Sequence, residues 1–180
     1  MENQPKEIIV HHTSVSRLGK YSQFYAVNSY HKQRFNAISS KGYFCGYHIF
    51  IEPSGLTYYA RELDEPGVHT IGHNEKSVAI CLAGNFSIEF PTDSQIMVLK
   101  RELDRIISIY PIEKIGPHRA FQSGRTCYGT NLSDNWAECL VRPVQKNQLE
   151  EDKALAIMRQ RVSKIRLMVE AIRSTINKLK

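Results

Sequence analysis

The sequence predicts an α/β protein, a mixed central β-sheet flanked by helices, with a C-terminal basic amphipathic helix after it. Three observations carry this. Short apolar, β-branched runs alternate with longer segments of helical period; clusters rich in Gly, Pro, Asn and Asp separate them; and after Val144 the composition turns basic. With 180 residues and 42% hydrophobic content, the chain can bury one good core and still carry an appendage. The expected organisation is therefore a domain over residues 1–146 and a helical tail over 147–180.

Residues 6–13 (KEIIVHHT) read as a strand buried on both faces, because apolar residues run on without polar alternation. Residues 22–35 place Phe24, Val27, Tyr30 and Phe35 near one side of a helix, ended by the polar SSKG turn. Residues 46–52 and 56–60 flank Pro53-Ser54-Gly55 and predict a β-hairpin. A loop rich in Asp, Gly and His follows over 62–75, and then 77–83 (SVAICLA) is another buried strand. Thr92 or Asp93 caps the next helix, whose Ile96, Leu99, Leu103, Ile106 and Ile107 recur every three or four residues until Pro111 closes it. Residues 115–118 form a short last strand and 119–132 a loop. Ser133 or Asp134 caps a brief helix through Val141 that ends before Pro143.

In the tail, Leu155, Met158, Val162, Ile165, Val169, Ile172, Ile176 and Leu179 alternate spacings of three and four, which is a heptad seam. Residues 153–180 hold eight Lys or Arg against the single acid Glu170, so this segment carries +7 and the remainder −1 of the net +6. The e positions Arg159, Arg166, Arg173 and Lys180 are all basic, and the g positions Arg161, Met168 and Thr175 offer them no acid in a parallel dimer. Three uses fit such a stripe: packing back onto the domain, self-association, or binding an anionic envelope surface.

Composition also excludes classes. No run of eighteen apolar residues exists, and MENQPKEIIV has neither a basic n-region nor an apolar stretch, so synthesis in a cytoplasm is expected, a host's if the gene is viral. Cys45, Cys81, Cys127 and Cys139 lack the short spacings of a disulfide framework. Three lie among apolar neighbours as buried thiols, whereas Cys127, in the polar stretch GRTCYG, calls for a chemical role. Residues 1–152 carry no zinc finger, recognition helix or aromatic–basic interleaving, so no nucleic acid partner is expected. Glu62, Asp64 and Glu65 cluster, but nothing marks the facing acid that a glycosidase requires.

The chemistry falls to the histidines. His11 and His12 end a strand, a rigid element from which a functional side chain can project, and alternation sends them to opposite faces. The residues alone do not choose between them. His118 opens a loop after Gly116-Pro117, and Cys127 follows nine residues later. Two imidazoles and a thiolate form a donor set that suits Zn²⁺, with one position left for water.

The segments IIVHHT, GYHIFI, PGVHTIGHN, SVAICLAGNF and GPHRAFQSGRTCYG occur in this order over residues 6–141. Together they resemble the successive motifs of the zinc N-acetylmuramoyl-L-alanine amidases, the family of amidase-type phage endolysins and peptidoglycan recognition proteins. The resemblance implies a mixed sheet flanked by helices with the metal at one edge, and it assigns His11, His118 and Cys127 as ligands and His12 as a structural neighbour. It places Tyr47 beside the metal-bound water and Arg125 where many hydrolytic relatives point a lysine at the substrate carbonyl. His69 and Asn74 match positions bordering the substrate groove. His31 and His73 read as structural or surface residues, and His48, opposite in direction to Tyr47, as a core histidine. The chain departs from the frequent HRD and CPG of relatives at Ala120 and Tyr128.

The function so implied is zinc-dependent hydrolysis of the amide between N-acetylmuramic acid and L-alanine in peptidoglycan. The expected setting is a phage endolysin that reaches the wall after the membrane is permeabilised. Two other uses of the family stand beside it: recognition without catalysis, and cytosolic wall recycling. Relatives lacking a ligand at the Cys127 position do not hydrolyse, and recycling relatives usually carry Asp there, so Cys127 favours the endolysin reading.

Overall fold

The apolar runs of the sequence become neighbours in one sheet. The computed structural model describes residues 2–17 and 22–141. Strands β1 (Glu7–His12), β2 (Ile49–Ile51), β3 (Thr57–Tyr59), β4 (Ser77–Leu82) and β5 (Lys114–Pro117) lie in the order β3-β2-β4-β1-β5. β1 pairs in parallel with β4 and β5, and β2 with β4. Only β3 is antiparallel, the return leg of a hairpin whose turn closes through Gly55 N–H to Glu52 O, with Gly55 at φ +87°. The sheet is mixed, as expected.

Alternation divides the strand side chains between two clusters. Ile8, Val10, Ile49, Ile51, Val78, Ile80 and Leu82 meet Leu99, Leu103 and Ile106 of helix α2 (Asp93–Ile109). The interleaved Phe50, Cys81 and Ala83 meet Phe24 of helix α1 (Gln23–Phe35). A sheet covered on both faces needs strands that are apolar at every position, which explains their unbroken runs.

Local chemistry fixes the helix ends. Thr92 caps α2 by accepting from Gln95 N–H, Gln95 Oε1 accepts from Thr92 N–H, and the Thr92 hydroxyl donates to Pro53 O. Thr92→Ala is expected to lower unfolding free energy by about 1–2 kcal/mol in urea titrations, since cap and tether are lost together. The N-terminus of α1 is served instead by buried Glu52, whose carboxylate accepts from Phe24 N–H at 2.9 Å and from the Ser22 hydroxyl.

Three elements differ from the sequence reading. The hairpin strands are shorter than 46–52 and 56–60: His48 O still accepts from Ala60 N–H opposite it but also takes Arg61 N–H, which breaks the register, and Gly46 O accepts from Val68 N–H instead of the partner strand. In α1 the inward positions are Phe24, Asn28 and His31, an i, i+4, i+7 row; Tyr30 lies off it, 60% exposed, and Phe35 continues it at i+11 but is 45% exposed at the helix end. The last helix is the single turn α3 (Trp136–Cys139), because Ser133 Oγ donates to Asn135 Oδ1 rather than capping. The basic tail, with the boundary expected at 146/147, lies outside the described residues.

His31 and His48 are structural, as expected. His31 Nδ1 accepts from Gly46 N–H; His48 Nδ1 accepts from Ala79 N–H while its Nε2 donates to Glu65 O. Burial, aided by the Arg61 charge, holds both down to about 4 from the ordinary 6.5. Each stays neutral in the fold where the unfolded chain would take up a proton. The stability they contribute is therefore complete above pH 6.5 and is lost as pH falls toward 4. Urea midpoints should decline across that window, and a midpoint flat from neutral pH down to 4.5 would contradict these assignments.

Candidate metal centre

β1 ends at the site. Its alternation sends His11 and His12 in opposite directions: His12 Nδ1 accepts from Phe86 N–H at 3.0 Å and its ring packs on Phe86, while His11 meets the loop after β5. That loop begins with a 3-10 turn (His118–Ala120), which lifts His118 off the strand end, and returns with Cys127. The ligand atoms of His11, His118 and Cys127 lie within 4.8 Å of one another. Cys127 Sγ stands 3.8 Å from His11 Nδ1.

Each of the three is oriented by one further hydrogen bond. His11 Nε2 lies 3.2 Å from His69 Nδ1, His118 Nε2 lies 2.9 Å from Gln122 Oε1, and Cys127 Sγ accepts from His12 N–H at 3.1 Å. Gln122 Oε1 can only accept, so His118 carries its proton on Nε2 and has a lone pair at Nδ1. Sequence reasoning missed Gln122, whose one signal is its position four residues beyond His118.

The electrostatics suit a cation. Burial, with the charges of His118, His12 and His31 after it, lowers His11 well below the ordinary histidine value. Burial likewise lowers His118, with Arg125 nearby adding to the effect. Both rings thus offer lone pairs at neutral pH. Burial pushes the Cys127 thiol up to about 12, opposed by His12 N–H and Arg119, so without a cation it keeps its proton. Two neutral imidazoles and a thiol that a cation would ionise form a donor set fitting Zn²⁺.

Beside these three residues opens a cleft of about 370 Å³, lined by Tyr47, His69, Asn74 and Arg125 together with Tyr30, His31, Arg34, Phe35 and Gln122. The Tyr47 ring centroid is 4.9 Å from that of His11. Burial raises the Tyr47 phenol well above 10, and the neighbouring Cys81, Cys127 and Cys45 add to this. Asn74 Oδ1 accepts from His69 and Thr70 N–H at 2.9 Å, and both His69 nitrogens have partners inside the fold. A ligand would meet the His69 ring rather than a free nitrogen. His73 pairs with Glu7 across 2.6 Å.

Arg119, which the motif keeps, and Tyr128, one of its two departures, anchor the Cys127 loop. Arg119 binds Asp134 at 2.6 Å, Leu132 O at 2.8 Å and Gly129 O, and Tyr128 is fully buried with its hydroxyl donating to Ser133 O.

The family model of N-acetylmuramoyl-L-alanine amidase matches residues 1–130. The chain belongs to the N-acetylmuramoyl-L-alanine amidase family. Among its relatives, a pig N-acetylmuramoyl-L-alanine amidase is 28% identical over 97 residues, which is 53% of this chain but 16% of the pig protein. The chain thus spans about a sixth of that relative. The amidase LysC of Clostridium intestinale superposes with a TM-score of 0.61 at 27% identity, covering 72% of this chain and 80% of LysC. Drosophila PGRP-LB shares the fold at a TM-score of 0.62 and 21% identity, covering 78% and 82%. This amidase fold is the mixed α/β architecture that the sequence predicts.

Proposed function

We propose that this chain is a zinc-dependent hydrolase of the amide between N-acetylmuramic acid and L-alanine in peptidoglycan, acting as a phage endolysin. The observation that carries the reading is the convergence of His11, His118 and Cys127 beside a cleft bordered by Tyr47 and Arg125. His11 and His118 through Nδ1, with Cys127 Sγ, would hold the ion. Bound there, Zn²⁺ supplies Lewis acidity, lowering the pKa of water toward ~7 and polarising a carbonyl.

The chain's own groups complete the site. Arg125 is exposed at the cleft, without a carboxylate partner among the described residues, and presents its guanidinium to the oxyanion that develops as the amide carbonyl is attacked. Tyr47, with its phenol held protonated, donates a hydrogen bond and orients water rather than removing a proton. Tyr30 and Phe35 give the cleft exposed aromatic faces of the kind that pack against sugar and peptide. In the metal-loaded protein, the His12 N–H stabilises the Cys127 thiolate.

The test is digestion of purified peptidoglycan by protein of measured zinc content. Free amine should appear at the L-alanine terminus without new reducing sugar, and chelation should stop it. Binding to peptidoglycan without any amine release would favour the non-catalytic recognition reading instead.

A further inference from the structure

We infer that His69, backed by Ser77, is a positioning residue that keeps the proton of His11 on Nε2 and so leaves His11 Nδ1 bare toward the metal position. The inference rests on the zinc reading above. It is carried by a chain of hydrogen bonds whose direction is set at its far end. Ser77 Oγ lies 2.6 Å from His73 O, and a backbone carbonyl only accepts, so the serine hydroxyl donates to it. The lone pairs of Ser77 Oγ then face His69 Nε2 at 3.3 Å and accept its N–H. A neutral His69 protonated on Nε2 has a bare Nδ1. Its single lone pair is shared by His11 Nε2–H at 3.2 Å and the Thr70 hydroxyl at 2.9 Å. His11 consequently turns its unprotonated Nδ1 toward Cys127 Sγ, 3.8 Å away.

The surroundings hold the His69 ring in that place. Ser77 is fully buried in β4, and the backbone of the His69 loop is pinned by Asn74. Gly67 lets the chain pass directly against the ring, where a Cβ would stand 2.4 Å from His69 Cδ2 and 2.7 Å from Nε2. With both nitrogens committed, the ring has orientation of His11 as its polar role.

The test measures Zn²⁺ affinity by competition with a chromophoric chelator and reads ring protonation in the zinc-loaded wild type by ¹⁵N NMR. His69→Phe keeps a ring but no acceptor and should weaken zinc binding ~10–100-fold, the usual cost of losing a ligand's outer partner. His69→Asn, which restores an acceptor oxygen near the place of Nδ1, should bind close to wild type. The NMR spectrum should show protons on His11 Nε2 and His69 Nε2. Wild-type protein that takes up no zinc overturns the metal reading and the relay with it. Zinc held equally by wild type and His69→Phe, or lost equally from the Phe and Asn variants, overturns the relay alone. Should His69→Phe not fold, a proton found on His11 Nδ1 or His69 Nδ1 in the zinc-loaded wild type does the same.

Discussion

Cys127→Ser is expected to yield a folded protein that neither holds zinc nor releases amine from peptidoglycan. The sulfur is the softest of the three donors and receives His12 N–H at 3.1 Å, so the backbone is already arranged to support a thiolate. A serine hydroxyl occupies less space and does not ionise near neutral pH, leaving two imidazoles to grip the ion. The loss should exceed the ~10–100-fold typical of outer partners and bring turnover to that of metal-free protein. His118→Ala should behave alike. His12→Ala supplies the contrast: it should keep the metal while orphaning the buried Phe86 N–H, at a cost of about 1–3 kcal/mol in stability. Metal content by emission spectroscopy, beside circular dichroism, checks all three. Loss of zinc in His12→Ala together with retention in His11→Ala would reverse the assignment of the β1 histidines.

Tyr47→Phe and Arg125→Ala should separate chemistry from metal binding. Neither residue belongs to the ligand set, so both variants should load zinc and bind peptidoglycan as wild type does. Turnover should fall ~10²–10³-fold in each, as when one positioned transition-state donor is removed. Arg125→Lys should lose less, because a cation remains though the planar fork is gone. Since the Tyr47 phenol is held protonated, the acid limb of the rate profile should be unchanged in Tyr47→Phe and only its height reduced. Equal turnover of wild type and Arg125→Ala would leave the metal as sole stabiliser of the oxyanion.

Much of this was legible beforehand because burial on both faces leaves a strong mark: the runs around Ile9 and Ala79 read as buried strands and occupy β1 and β4, and the hairpin read around Pro53-Ser54-Gly55 is β2 and β3. The period of α2 and its Thr92 cap were equally plain. Alternation separated His11 from His12 but could not say which faced the site, because that depends on where residues 118 and 127 land, more than a hundred positions away. The site roles of Gln122 and Ser77 were invisible for a similar reason. A polar side chain that orients a ligand carries no periodicity, and its partner is chosen by the fold. Tyr30 and Phe35 misled in the other direction: the inward face was fixed by Asn28 and His31 meeting backbone amides at residues 44–46, which leaves Tyr30 outside it, and Phe35, though on that row, ends the helix half-exposed.

The placement of His11 and Cys127 has one more consequence. They lie 116 residues apart in sequence, on β1 and in the loop after β5, so an ion gripped by both would close residues 11–127 into a ring. Because an unfolded chain rarely brings such distant ends together, the ion would select the folded state, and the melting temperature should rise with metal concentration. It also sets a schedule during synthesis. Under the zinc reading proposed above, no emerging chain that stops short of Cys127 could assemble the three-residue site, so a ribosome would have to deliver residues up to 127 before the ion could be held.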